Sequence, residues 1–365
     1  MRKGKTMLQR MNVYITTGKQ NLKYAYVAIK SLFMNNQERE IFLYVVSEDL
    51  TQEDMHHEQK LAEQYGNHII ILRFDEEIAA KYIHIDKGYH WPIGTMSSYW
   101  LFHKLLPEDV DRIIVIESDT VIVGNLSEIY DIDFEENYAV CPGPEHKPQN
   151  HRDFMQKAGG DCLTFVLSLY NVSKIRNDFS LKDILDTDEK VKKLAGFSQM
   201  EFTFGLLFKD RIKYVPGEIS CIDENERYME ELGIDYVMQC EKTAKIIHFS
   251  SYSDYGKPWN PVSIMPGYLI WWEYAKESPY FKEYFQKQWE IYAKTREKAK
   301  DLEKNITYRN ILFCTMDIAA VFLLIYWGVQ GYFMKGLFSV LAALGIGAAI
   351  SLLLRKGMIW IQKKR

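Results

Sequence analysis

Arg112-Ile-Ile-Val-Ile-Glu-Ser-Asp-Thr-Val-Ile-Val-Gly124 reads as a buried strand that ends in two acids one residue apart, followed by a second apolar run. In an extended chain residues i and i+2 point the same way, so Glu117 and Asp119 are expected to converge on one hard cation. Two carboxylates leave the remaining positions of a divalent ion to water and phosphate oxygens. That arrangement activates a nucleotide diphosphate as a leaving group. The same local pattern also fits two acids that do no more than solvate a turn.

Working outward, residues 11–260 alternate strand-like and helix-like runs, the pattern of an α/β sheet with covering helices. Asn12 to Thr17, Ile41 to Val46, His68 to Phe74, Arg112 to Ile116 and Thr120 to Val123 read as strands. Between the first two, Asn21 is placed to cap a helix whose Tyr24, Val27, Ala28, Ser31 and Leu32 share a face, ending at Asn35–Asn36. Thr51-x-x-Asp54 has the form of a capping box for a helix to Tyr65, and a further helix is expected at about Ser97 to Leu106. The order is Rossmann-like, yet GxGxxG and a Walker-type loop are both missing. A dinucleotide or ATP site, and with it an NAD-type dehydrogenase, has no motif support.

The chain of 365 residues is 47% hydrophobic and 26% charged, a globular composition. Its formal net charge of -4 gives no electrostatic footprint for nucleic acid. Cys141, Cys162, Cys221, Cys240 and Cys314 are dispersed without CxxC spacing, which suits reduced thiols rather than a disulfide frame or a structural zinc site. Residues 1–10 read as a basic N-terminal tail with no export signal, so the main domain is expected on the side where it is made.

Composition changes near residue 311. Ile311 to Phe333 carries Asp317 as its only charge, and Gly336 to Leu354 carries none. Each run approaches the ~20 apolar residues of a bilayer-spanning helix. Basic flanks on both sides, KTREKAKDLEKN and RKGMIWIQKKR, predict a membrane-anchoring hairpin over 306–365 with both ends in the cytoplasm, or a re-entrant one. Residues 268–305 form an aromatic amphipathic segment, with Tyr274, Phe281, Phe285, Trp289 and Tyr292 on one expected helical face. Trp271 and Trp272 are expected to pack against the sheet, and the others to divide between packing and the membrane interface.

Five stretches, in order, resemble glycosyltransferase family 8, which includes bacterial lipopolysaccharide galactosyl- and glucosyltransferases and glycogenin. They are NVYITTGKQNLKYAYVAIKSL, LLPEDVDRIIVIESDTVIVGNLSEIYDID, LTFVLSLYNVSKIR, SQMEFTFGLLFKDRIKYVP and IIHFSSYSDYGKPW, within Met11 to about Trp289. The resemblance implies a GT-A fold over 11–267 and a UDP-sugar donor, usually of glucose or galactose. It further implies a glycan or lipid-linked acceptor and a retaining transfer that depends on Mn²⁺ or Mg²⁺. Carried over by residue, Glu117, Asp119 and His248 match the metal ligands, and Lys257 matches a lysine on the donor diphosphate. Thr16, Thr17, Gly18 and Ser118 match donor-binding positions, and Gln199 lies near the reacting face of the sugar. Imidazole with two carboxylates is a good set for Mn²⁺. The domain is then expected at the cytoplasmic membrane, facing the cytoplasm.

Departures from the family pattern concentrate at the sugar end. Gly18 stands where the family has aspartate, and Glu117 replaces the first metal aspartate. Thr164 and Val166 replace the asparagine and glycine of FNxGV. The DQD motif reads Ser198-Gln199-Met200, with Glu201 beside it as a substitute acid. Two readings follow: an active enzyme with a remodelled sugar pocket using Gln199 and Glu201 as catalytic groups, or a degenerate domain serving as a scaffold in polysaccharide assembly.

Overall fold

The computed structural model describes residues 8–74, 99–147, 149–196, 199–216, 221–223, 229–231, 233–240, 242–251, 256–260 and 263–329. Its strands are β1 (Gln9–Thr16), β2 (Arg39–Ser47), β3 (His68–Arg73), β4 (Arg112–Glu117), β5 (Thr120–Ile122), β6 (Ala139–Pro142), β7 (Leu169–Asn171), β8 (Ile212–Val215), β9 (Cys221–Asp223) and β10 (Ile246–His248). Its helices are α1 (Leu22–Asn35), α2 (His56–Tyr65), α3 (Ser127–Tyr130), α4 (Gln149–Ala158), α5 (Val172–Asp178), α6 (Leu181–Ala195), α7 (Met200–Leu207), α8 (Ile234–Cys240), α9 (Tyr268–Ala275) and α10 (Phe281–Val329). Of the helix expected from Ser97, residues 99–100 are α-helical and Leu101–Leu105 form a π-helical turn.

Seven strands form one sheet in the order β3-β2-β1-β4-β7-β6-β8, and β5-β10-β9 form a second, small sheet. Strands β1 to β4 of the large sheet pair in parallel, while β7 runs antiparallel to both β4 and β6. The inner strands MNVYIT and RIIVIE are apolar with no charge before their ends, which suits strands covered on both faces. Side chains of Val13, Ile15, Ile114 and Ile116 enter one core layer; Tyr14, Ile113 and Val115 enter the other.

Helix α1 serves two cores. Ala25, Ala28, Ile29 and Leu32 join the large-sheet core, whereas Tyr24 and Val27 join a third cluster with Val121 of β5 and Ile247 of β10. Its polar residues hold the edge of β5: Ser31 Oγ accepts from Ile122 N at 3.0 Å, and Asn35 Nδ2 donates to Ile122 O at 2.9 Å. The expected cap differs, because Asn21 occupies the N-cap position in a helical conformation and its side chain makes no capping hydrogen bond. Thr51 and Asp54 do exchange reciprocal hydrogen bonds, at 2.8 and 3.2 Å, but they close a turn and α2 starts only at His56.

Strand β1 begins three residues earlier than expected, at Gln9. Arg10, expected in the basic tail, is tied to Asp109 at 2.7 Å and to the Tyr44 hydroxyl at 2.6 Å. The aromatic segment also differs. A turn at 276–280 separates α9 from α10, so Tyr274 and Phe281 lie on different helices. Pro279 explains the break, since the residue before proline disfavours helical geometry. Trp271 is fully buried and Tyr284, outside the expected stripe, is buried beside it, while Phe285, Trp289 and Tyr292 are exposed.

The chain divides into two compact units, Met1–Trp289 and Glu290–Arg365. The first takes in residues 268–289, which the sequence set apart from the sheet domain. In the second, α10 extends through the first apolar run as far as Val329, and the second run lies outside the described residues. Among the described residues, no helix is long and apolar enough to cross a membrane.

Candidate active site

Glu117 closes β4 in the large sheet and Thr120 opens β5 in the small one, so residues 118–119 are the turn that changes sheets. Thr120 Oγ1 donates to the Glu117 carbonyl at 2.7 Å and tightens that turn. The two acids thus converge through a turn rather than through the extended pairing that their spacing suggests. Strand β10 runs antiparallel to β5 with His248 opposite Thr120, and Phe249 N donates to Asp119 O at 2.9 Å. This pairing carries the imidazole to the acids.

His248 Nε2 lies 3.0 Å from Glu117 Oε2 and 3.5 Å from Asp119 Oδ1. One ligand atom from each of the three residues falls within 4.8 Å of the others. A divalent ion bound at about 2.1 Å holds adjacent ligands roughly 3 Å apart, so the set fits such an ion. Lys257 Nζ donates to Asp119 Oδ2 at 2.5 Å and to the Phe249 carbonyl at 2.6 Å. Burial alone would raise the Asp119 carboxyl, but the Lys257 and His248 charges outweigh it and hold it well below the usual range. Trp259, two residues on from Lys257, stacks on Tyr24 at 4.0 Å, and Trp272 Nε1 donates to Pro258 O at 2.9 Å. The lysine loop is therefore seated on α1 and α9.

Thr16 ends β1 in register with Glu117 of β4, which puts the donor-loop position beside the triad. Its hydroxyl donates to the Tyr14 hydroxyl at 2.8 Å. Thr17 is buried and its N–H donates to Val46 O at 3.2 Å. A Cβ on Gly18 would come within 3.2 Å of Asp49 Oδ1, and Lys19 N donates to that same carboxylate. An aspartate at position 18 would thus crowd Asp49, whose carboxylate already occupies the neighbouring space. Ser118 is half-buried in the sheet-changing turn.

Gln199 and Glu201 form a second cluster at the start of α7. Gln199 Nε2 donates to Glu201 Oε2 at 3.3 Å, and Lys147 Nζ donates to Glu201 Oε1 at 2.7 Å. Ser198 lies outside the described residues. Lys147 and Asp49 escaped the sequence reading. Nothing local marks either one, since each meets its partners only through the fold.

Strands at whose carboxyl ends two acids, an imidazole and a lysine gather define a mixed α/β, GT-A-like transferase. The model of glycosyl transferase family 8 matches residues 12–262, and the chain belongs to that family and is a glycosyltransferase. A lipopolysaccharide 1,2-glucosyltransferase of Escherichia coli is 22% identical over 320 residues, covering 84% of this chain and 87% of the relative. Glycosyltransferase GlyE of Streptococcus pneumoniae is 24% identical over 279 residues, covering 69% of this chain and 59% of GlyE. Among solved structures, galactosyltransferase LgtC in complex with donor and acceptor sugar analogs superimposes with a TM-score of 0.59 at 16% identity, covering 74% of this chain and 96% of LgtC. That likeness concerns the fold.

Proposed function

We propose that this glycosyltransferase moves a hexose, glucose or galactose, from a UDP-sugar to a glycan or lipid-linked acceptor with retention of configuration. Glu117, Asp119 and His248 would hold Mn²⁺ or Mg²⁺, which when bound supplies positive charge to the departing diphosphate. Lys257 adds a second positive charge at the same place, and donation to phosphate oxygens is its natural alternative to Asp119. Residues 16–18 lie under the base and ribose, with Ser118 beside the diphosphate. Gln199 stands at the sugar end. The observation that carries the reading is the convergence of the triad and Lys257 at the switch between the two sheets. The similarity to a lipopolysaccharide 1,2-glucosyltransferase supports a glycan acceptor. The apolar runs between Ile311 and Leu354 and the basic segments on both sides of them support placement at the cytoplasmic membrane, with the domain on the cytoplasmic side.

Purified protein with Mn²⁺ and a panel of UDP-sugars, followed by release of UDP, tests the proposal. One UDP-hexose should be turned over, and both EDTA and Asp119→Ala should abolish turnover. Turnover indifferent to both would remove the triad from the reaction, and silence across the panel would remove the UDP-hexose donor.

A further inference from the structure

Glu201 is the meeting point of three chain segments. Its Oε1 accepts from Lys147 Nζ at 2.7 Å and from the backbone N–H of Phe165 at 2.9 Å. Its Oε2 accepts from Gln199 Nε2 at 3.3 Å and faces His151 Nδ1 at 3.9 Å. The side chains of Lys147 and His151 are each 8% exposed, and that of Glu201 is 16% exposed. Burial alone would raise the Glu201 carboxyl, yet the charges of Lys147 and His151, with the hydrogen bonds from Lys147 and Phe165, hold it below its ordinary value. A carboxylate so held has no proton to give, and its lone pairs are directed at protein donors.

This cluster is joined to the triad by packing. The Phe165 ring meets the Tyr14 ring edge-on at 6.4 Å, and the Tyr14 hydroxyl accepts from Thr16, which stands opposite Glu117. Leu167 N donates to Val115 O at 2.8 Å and Val115 N to Ser168 O at 3.0 Å, just before Glu117. Segment 163–168 therefore touches the metal edge on one side and Glu201 on the other.

We propose that Lys147 and Glu201 are positioning residues for sugar transfer, a buried ion pair that fixes the Gln199 amide and segment 163–168 where the donor sugar lies. The inference rests on the proposed function, and it gives Glu201 a role other than the catalytic one that its place beside Gln199 suggests. It also bears on the departures from the family pattern at Thr164, Val166 and Met200, which flank this cluster in sequence. Thr164, Val166 and Met200 are themselves buried, so order at this end comes from the carboxylate beside them. Lys147 keeps that carboxylate ionised and in place.

The test is a double-mutant cycle on the full chain with the UDP-sugar that is turned over. Lys147→Met alone strands a buried carboxylate, so the informative variant is Lys147→Met with Glu201→Gln, which leaves no unpaired charge. That double variant should lower kcat by about 100-fold, as expected when a reacting group loses its alignment. Its KM and its affinity for UDP should stay within about twofold, since the nucleotide end is untouched. In a Gln199→Ala background the same change should cost little, because the group being positioned is gone. Lys147→Arg should restore most of the rate. An unchanged kcat overturns the inference, as does an equal loss in both backgrounds, which would mark a merely structural pair. If Gln199→Ala itself leaves turnover intact, the assignment of Gln199 to the sugar end fails and the inference falls with it.

Discussion

Asp119 faces two basic groups. Its Oδ1 faces His248 at 3.5 Å, and its Oδ2 takes the Lys257 ammonium at 2.5 Å. A divalent ion on the triad and an ammonium on the same carboxylate repel one another, so Lys257 is a counter-charge that a metal must overcome. On the proposed function, a bound diphosphate would give the lysine a new anionic partner and relieve the conflict. Lys257→Met should therefore bind Mn²⁺ alone more tightly, by about tenfold, which corresponds to ~1.4 kcal/mol. The same variant should bind UDP in the presence of Mn²⁺ more weakly. Calorimetric titrations with Mn²⁺ alone, then with Mn²⁺ and UDP, should show shifts of opposite sign; shifts of the same sign would take Lys257 off the diphosphate. At this scale the sequence is informative where chemistry and spacing coincide, as in Glu117 and Asp119. It is silent on Asp49, whose meeting with Gly18 depends on how β1 and β2 end side by side.

Among the elements, α2 carries a group that the transfer reaction does not use. Glu58 is fully buried, its Oε1 accepts from the Tyr280 hydroxyl at 3.1 Å, and its Oε2 has no hydrogen-bond partner among the described residues. Burial pushes its carboxyl up to about 7, against smaller lowering by its own backbone N–H and Tyr280. A carboxyl raised in the folded state stabilises while protonated. Stability should therefore fall as pH rises from the ordinary carboxyl value toward 7, and level off above it. The whole change amounts to about 3 kcal/mol. Glu58→Gln should flatten the profile, so its stability advantage over the parent should grow between pH 5 and pH 8 in denaturant titrations. A constant difference across that range would show that Glu58 keeps its charge when folded. Strands β1 to β4 were legible because their apolar runs have no other use in a soluble layer. The second sheet was not, because short strands such as β5 and β10 find each other only after the turn at 118–119 has left the large sheet. The capping signals were half-legible: Thr51 and Asp54 made their bonds, but a turn before the helix they were expected to start.

Over the whole molecule, every candidate site residue from Thr16 to Lys257 lies within the unit Met1–Trp289. That unit depends on the aromatic segment at its end. Trp271 and Tyr284 pack with Tyr24, Val121, Ile247 and Phe249, the residues around the strand that carries His248. The Tyr284 hydroxyl also donates to the Lys23 carbonyl of α1. Sequence composition separated residues 268–305 from the sheet domain, although Trp271 and Trp272 were expected to pack on it, because the lysines and glutamates between the aromatics left the others divided between core and membrane interface. The two boundaries make different predictions. A chain ending at Trp289 should melt cooperatively and bind UDP with Mn²⁺ within about twofold of the full chain, since it keeps the compact unit entire. A chain ending at Gly267 loses Trp271 and Tyr284 from the support of β10. Removing one such large buried side chain costs about 3–5 kcal/mol. Its melting temperature should drop steeply, and Mn²⁺ affinity should fall with it as His248 loses its support. Equal stability and equal Mn²⁺ affinity of the two truncated chains would mean that the aromatic segment only covers the small sheet, and that β10 holds His248 in place unaided.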